Sequence, residues 1–140
     1  MIVDVNVLLA YVDPDAPFHA AASRWLDAEL DGPSRVGFAW HSLVGFVRIT
    51  TNPRVYPEPL GADEAMTYVD AWLAAPGAWV PQPGPRHAQV LRDLLAESGG
   101  RAGLVPDAHL AALAVEHGVP VCSFDADFAR FPSVGWFRPV

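Results

Sequence analysis

The sequence contains no lysine. All nine of its basic residues are arginine, which removes every chemistry built on a lysine amine: Schiff-base catalysis, a P-loop cation, the switch residue of a receiver domain. Cysteine is almost absent too. The single Cys122 excludes an internal disulfide framework and a thiolate metal cluster, and it suits a reducing cytoplasm. No apolar stretch reaches the roughly 18 residues of a membrane span. The N-terminal run meets Asp4 at once with no basic residue before it, so neither a membrane anchor nor a signal peptide is expected. Positive charge is scarce as well. A net charge of −7 argues against nonspecific attachment to phosphate backbones, and a nucleic-acid partner would be met by a local basic patch or through metal ions. Finally, no Asp or Glu stands between Asp31 and Glu58.

What is present suits one compact domain over residues 1–140, with 51% hydrophobic residues. A chain of this length buries roughly 68–70% of its unfolded surface. Short apolar runs at Ile2–Asp4, Val36–Ala39, Trp79–Val80, Val119–Ser123 and Trp136–Arg138 read as strands. Between them, helical spacing of apolar residues predicts helices over Asn6–Tyr11, Phe18–Leu30, Ser42–Thr50, Asp63–Ala74, Pro85–Ser98 and Pro106–His117, with a helical turn at Asp125–Phe131. Strands alternating with helices imply an α/β fold: a three-layer α/β/α sandwich around a short-stranded, mainly parallel sheet.

Such a sheet gathers functional groups outside the carboxyl ends of its strands. Asp4 ends the first strand, Asp125 follows the Val119–Ser123 strand, and Asp127 lies two residues on. Asp107 opens the helix that feeds that strand, on an edge the sequence does not fix. Taken singly, Asp107 is explained as a helix-start carboxylate and Asp125 as an N-cap. Asp4 resists so plain a reading, because a strand-end acid beside a core costs stability unless paired. Asn6 either caps the following helix or holds Asp4 in place. Together the acids would repel one another unless one is protonated or a divalent cation neutralises them. An all-oxygen set favours Mg²⁺, with Mn²⁺ also suitable, and such clusters commonly serve phosphoryl transfer.

Three segments carry a family likeness: IVDVNVLL at the start, VPDAHLAALAVEHG, and VCSFDADFARFPSVGW near the end. They resemble the PIN-domain ribonucleases, and more narrowly the VapC-type toxins of bacterial toxin–antitoxin pairs. The resemblance implies an α/β/α fold, a Mg²⁺-dependent endoribonuclease acting on RNA, and a cognate antitoxin that covers the active site. It also implies a homodimer and a larger toxin–antitoxin assembly. It makes Asp4, Asp107 and Asp125 the catalytic and metal-holding acids, with Asn6, Ser123, Asp127 and Arg48 in support. The family's second acid, a Glu followed three residues later by Arg, has no counterpart: Gly45 stands there, with Arg48 after it. A glycine at that position would leave room for RNA.

The remaining candidates are weaker. His19, His41, His87, His109 and His117 show no ligand spacing, and the resemblance puts only His41 near the expected cleft. Arg48 either binds a phosphate or, as the better expectation, pairs with an acid. Trp25, Trp72 and Trp79 read as core, whereas Trp40 and Trp136 are free to reach an interface. The Pro-rich segment Asn52–Leu60 is a candidate dimer or antitoxin surface. The rival reading is a PIN-fold module that binds RNA or protein and has lost catalysis with the second acid. A phosphatase with an Asp at the end of its first strand is disfavoured by Asn6 in place of a second Asp and by the want of Lys.

Overall fold

The computed structural model describes residues 1–140. Five two-residue strands, β1 (Ile2–Val3), β2 (Val36–Gly37), β3 (Ala78–Trp79), β4 (Val121–Cys122) and β5 (Trp136–Phe137), form one sheet in the order β3-β2-β1-β4-β5. Every neighbouring pair is parallel. The helices are α1 (Val5–Val12), α2 (His19–Asp31), α3 (Trp40–Thr50), α4 (Ala62–Ala74), α5 (His87–Glu97) and α6 (Val105–His117).

The alternation of strand side chains divides the core in two. Ile2, Val121 and Trp136 point to one face, where Leu94, Leu110, Leu113, Phe128 and Phe131 from α5, α6 and the following turn cover them. Val3, Cys122 and Phe137 point to the other, against Leu8, Leu26, Phe46, Val69 and Trp72 from α1 to α4. The result is the expected three-layer sandwich. Gly37 allows a close approach, since a Cβ there would lie 3.1 Å from both the Met1 carbonyl oxygen and the Trp79 ring.

The strands are shorter than the apolar runs suggested. Backbone pairing nonetheless extends beyond them: Ile2 N–H donates to the Pro120 carbonyl at 2.9 Å and Asp4 N–H to that of Cys122 at 3.0 Å. That last bond carries the ladder up to the first acid. Helix α3 begins two residues earlier than its apolar pattern indicated, directly after β2, and α5 two residues later, because Pro85 and Arg86 form the turn that enters it. A 3-10 turn at Ala102–Leu104, unforeseen in the sequence, leads into α6.

Helix α6 ends where its glycine signal lies. Gly118 takes the left-handed conformation at φ 64°, ψ 34°, which a side chain disfavours by about 1–2 kcal/mol. Gly45 is the opposite case: it sits inside α3, and a Cβ there would meet only Val5 at 3.5 Å, an ordinary contact. Gly118→Ala should therefore lower unfolding stability by about 1 kcal/mol, while Gly45→Ala should raise it by about 1 kcal/mol through helix propensity. Urea denaturation midpoints of the two variants check this, and a loss in both would contradict the open space beside Gly45.

Candidate active site

The site stands at the carboxyl edge of the central strands β1 and β4. Asp4 leaves β1 and caps α1, its Oδ1 accepting from Val5 N–H at 2.7 Å. Its Oδ2 accepts from Asn6 Nδ2 at 2.9 Å and from the Ser123 hydroxyl at 2.7 Å. Asn6 also donates to Ser123 Oγ at 2.9 Å, and its own Oδ1 accepts from Phe124 N–H at 3.1 Å. Ser123 Oγ in turn accepts from Asp125 N–H at 3.0 Å. One bonded cluster thus ties the end of β1 to the end of β4. Asn6 holds Asp4 and does not cap the helix; Asp4 does that itself.

Asp125 follows β4, and its Oδ1 accepts from Asp127 N–H at 2.8 Å, capping the 3-10 turn Ala126–Arg130. Asp107 arrives from the first turn of α6, whose N-terminus lies on this same edge. The carboxylates of Asp107, Asp125 and Asp127 bring oxygen atoms within 4.8 Å of one another. The closest trio therefore contains Asp127, expected only as an accessory, with Asp4 beside it, its carboxylate accepting three donors and keeping lone-pair capacity on Oδ1. Asp127 is further steadied by Arg130 Nε at 3.2 Å.

Electrostatics single out Asp107. Its carboxyl is pushed up to about 7, first by burial and then by the charges of Asp4, Asp125 and Asp127. Asp4 is also raised, mainly by burial, with the Ser123 and Val5 hydrogen bonds pulling the other way. Three close carboxylates offering only oxygen fit a hard divalent cation, because its charge relieves this repulsion and its ligand preference matches the donors.

Arg48 departs from expectation. It forms no ion pair, the two present being His87–Glu116 and Arg130–Asp127. The reason lies in the sequence gap: α3 carries no acid of its own, and Arg48 lies on its solvent face. Trp40 is 47% exposed, whereas Trp136 turns inward and donates from Nε1 to the Ser123 carbonyl at 3.0 Å.

The histidines hold what sequence reasoning missed. His87 Nδ1 meets Glu116 Oε1 at 2.5 Å, and His87 Nε2 meets His109 Nδ1 at 3.0 Å. His41 then lies edge-on to His109, ring centroids 5.2 Å apart. The signal was present, since His109 and Glu116 are seven residues apart and share one face of α6. Nothing in the sequence put His87 of α5 opposite them.

Comparison with known proteins agrees with this geometry. The family model described as PIN domain matches residues 1–134. Ribonuclease VapC37 of Mycobacterium tuberculosis is 49% identical, the match covering 99% of this chain and 96% of that protein. The chain belongs to the PIN-domain family. Among solved structures, this PIN domain resembles VapBC2 from Rickettsia felis bound to a promoter DNA fragment, at a TM-score of 0.72, 10% identity, and coverage of 99% and 98% of the two chains. It likewise resembles Mycobacterium tuberculosis VapC20, a Sarcin-Ricin loop cleaving toxin, at a TM-score of 0.68, 19% identity, and coverage of 91% and 92%. At such identities those two likenesses speak for the fold alone, and the relative at 49% for the VapC type of PIN domain.

The raised Asp107 has a thermodynamic consequence for the metal-free protein. A free Asp ionises near ~3.9; folded Asp107 ionises at about 7. Between those values the unfolded chain releases a proton that the folded chain keeps, so folding is progressively disfavoured as pH rises through the window. Below it both states are protonated and the effect vanishes. Asp107→Asn should therefore melt a few degrees higher than the parent at pH 8 in EDTA, with the gap closing toward pH 4. Adding Mg²⁺ or Mn²⁺ should raise the parent's melting temperature and the variant's less. A gap that does not depend on pH would contradict the assignment.

Proposed function

We propose that this PIN-domain protein is a metal-dependent endoribonuclease, the toxin of a type II toxin–antitoxin pair, which hydrolyses RNA phosphodiester bonds. The observation that carries the reading is the convergence of Asp107, Asp125 and Asp127 beside Asp4, from three separate regions of the chain. Asp107, Asp125 and Asp127 would hold the ion, Mg²⁺ or Mn²⁺, with Asp4 completing the acidic rim. A cation bound there supplies positive charge against the phosphate and makes a water more acidic.

The chain's own contribution is placement. Ser123 and Asn6 fix the Asp4 carboxylate and keep it a hydrogen-bond acceptor, while the Asp125 cap fixes the turn that presents Asp127. Asp4 is buried, while Asp107, Asp125 and Asp127 are half-buried and stay open to solvent and to an ion. Without an acid at Gly45 the set of carboxylates is smaller than the fuller family pattern, which favours one tightly held ion over two. That same glycine favours the second reading, a PIN-fold module that binds RNA or a protein without cutting.

Partner chemistry follows from the surface next to the site. A groove of about 300 Å³ begins at Asn6 and Asp125 and runs past Asp13, Phe18, Tyr56 and Phe124. Asp13 and Tyr56 also line a neighbouring cavity of about 410 Å³ with Asp15, Glu58 and Leu60. Acidic and apolar walls together suit a basic amphipathic segment of a cognate antitoxin, which would close the cleft from this side. A homodimer and a larger toxin–antitoxin assembly belong to the same reading. No helix is long and apolar enough to cross a membrane.

The purified protein should cut RNA in Mg²⁺ or Mn²⁺ and stop on addition of EDTA. Asp4→Ala and Asp125→Asn should abolish cleavage with the fold retained, and Asn6→Ala should cost about 10–100-fold through loss of the group that orients an acid. Circular dichroism and a gel-based cleavage assay check this. A folded, fully active Asp125→Asn would sink the site, and binding of RNA without any metal-dependent cleavage would favour the module.

A further inference from the structure

On the helical wheel of α3, His41, Val44, Gly45 and Arg48 fall within an arc of about 100°. Val44 is 59% exposed, and Ser42, Leu43, Phe46 and Thr50, on the opposite side, are buried. That solvent face borders the carboxylates, since position 45 faces Val5, the residue after Asp4. His41 lies close enough to Asp4 to act on its charge. The face thus carries two hydrogen-bond donors, one turn above and one turn below a residue with no side chain. Neither donor is engaged: no side-chain hydrogen bond or ion pair involves His41 or Arg48. Arg35 lies over Trp79, Arg138 over Trp136, Arg130 pairs with Asp127 and Arg92 donates to Gln89. Arg24, Arg54, Arg86 and Arg101 have no side-chain partner either, and what distinguishes Arg48 is its place beside the carboxylates.

His41 is also braced from behind. Glu116 is anchored by Gly84 N–H at 2.9 Å. An ionised carboxylate only accepts, so His87 Nδ1 carries the proton toward Glu116. His87 Nε2 and His109 Nδ1 share the next hydrogen bond at 3.0 Å, which fixes the ring plane of His109. His41 rests against that ring at an interplanar angle of 68°. Three residues from two helices, α5 and α6, stand behind one exposed imidazole at the rim of the cleft.

We propose that the exposed face of α3 is a phosphate track for single-stranded RNA, in which His41 and Arg48 donate to successive backbone phosphates across the gap at Gly45. His109, His87 and Glu116 are positioning residues for His41. This rests on the ribonuclease reading and deepens it by assigning how an acidic protein engages a polyanion. Seven residues of helix separate the backbones of the two donors by roughly 10 Å along the axis, more than the spacing of adjacent phosphates, and the long Arg48 side chain, which leans toward the helix N-terminus, closes the difference. Glycine keeps the backbone of the RNA close to the helix and keeps a carboxylate out of its path.

The test measures affinity in EDTA, where no cleavage occurs, using a fluorescent mixed-sequence single-stranded RNA and the full chain. His41→Gln and Arg48→Gln should each weaken binding about 3–10-fold and together about 30-fold, with melting temperatures unchanged. Arg48→Gln should also lower the slope of log affinity against log salt by about 0.7, the loss of one single-strand phosphate contact. Gly45→Glu should weaken binding about 10-fold, and Glu116→Gln should weaken it about threefold only while His41 is present. Wild-type affinity in the double variant, or a Glu116→Gln effect that persists in His41→Gln, would overturn the track or the bracing respectively. Cleavage assayed in parallel in Mg²⁺ separates the two readings. A wild type that cuts RNA while the variants bind as well as it does defeats the track alone. A wild type that binds through these residues but never cuts defeats the ribonuclease reading and leaves the track standing.

Discussion

Mutual repulsion of four carboxylates at one sheet edge is the constraint around which this structure is organised. Two such charges about 4 Å apart cost on the order of 4 kcal/mol at an effective dielectric of ~20. The fold offsets that cost unevenly. Asp4 receives three donors, Asp125 the Asp127 amide, and Asp127 the Arg130 guanidinium. Asp107 receives none, and it is the carboxyl whose proton is held up to about 7. The strain of the cluster is therefore gathered on one residue, at the start of α6, where a bound cation would relieve it most.

That arrangement depends on strand ends being rigidly paired. Ser123 touches Asp4, Asn6 and Asp125 at once, and its own backbone is held by Phe137 through Ser123 N–H and by Trp136 through its carbonyl. A loop would not hold four polar groups to such distances. Parallel pairing of β1 with β4 does so, with the Trp136 side chain and the Phe137 carbonyl of β5 fixing the same residue.

Much of this was legible in the sequence, for identifiable reasons. Long helices with a 3.6-residue apolar period declared themselves, and Gly118 marked the end of α6 because a left-handed residue favours glycine. Acids at strand ends were conspicuous because nothing in a core explains them. Two-residue strands were not measurable from apolar runs, since burial of Val119 or Ala39 does not require a ladder bond. Asp107 could be named but not placed, because the edge reached by a helix N-terminus is a tertiary fact. The Glu116–His87–His109–His41 chain was illegible for the same reason: it joins α3, α5 and α6, and only the Glu116–His109 spacing lies within one element.

Gly45 has no cause within its own helix. Nothing in the backbone asks for glycine there, as it is helical and without a positive φ. Nothing in the packing asks for it either, since a Cβ would find ordinary contact with Val5. Interior glycine costs a helix about 1 kcal/mol relative to alanine. A residue that weakens its helix and spares no neighbour has no structural reason to be present. The remaining reason lies outside the chain, in something that approaches α3 closely between His41 and Arg48. An acidic protein with no lysine has few places to receive a phosphate backbone near its carboxylates, and the open face of α3, with His41 and Arg48 unpaired beside them, is suited to be one.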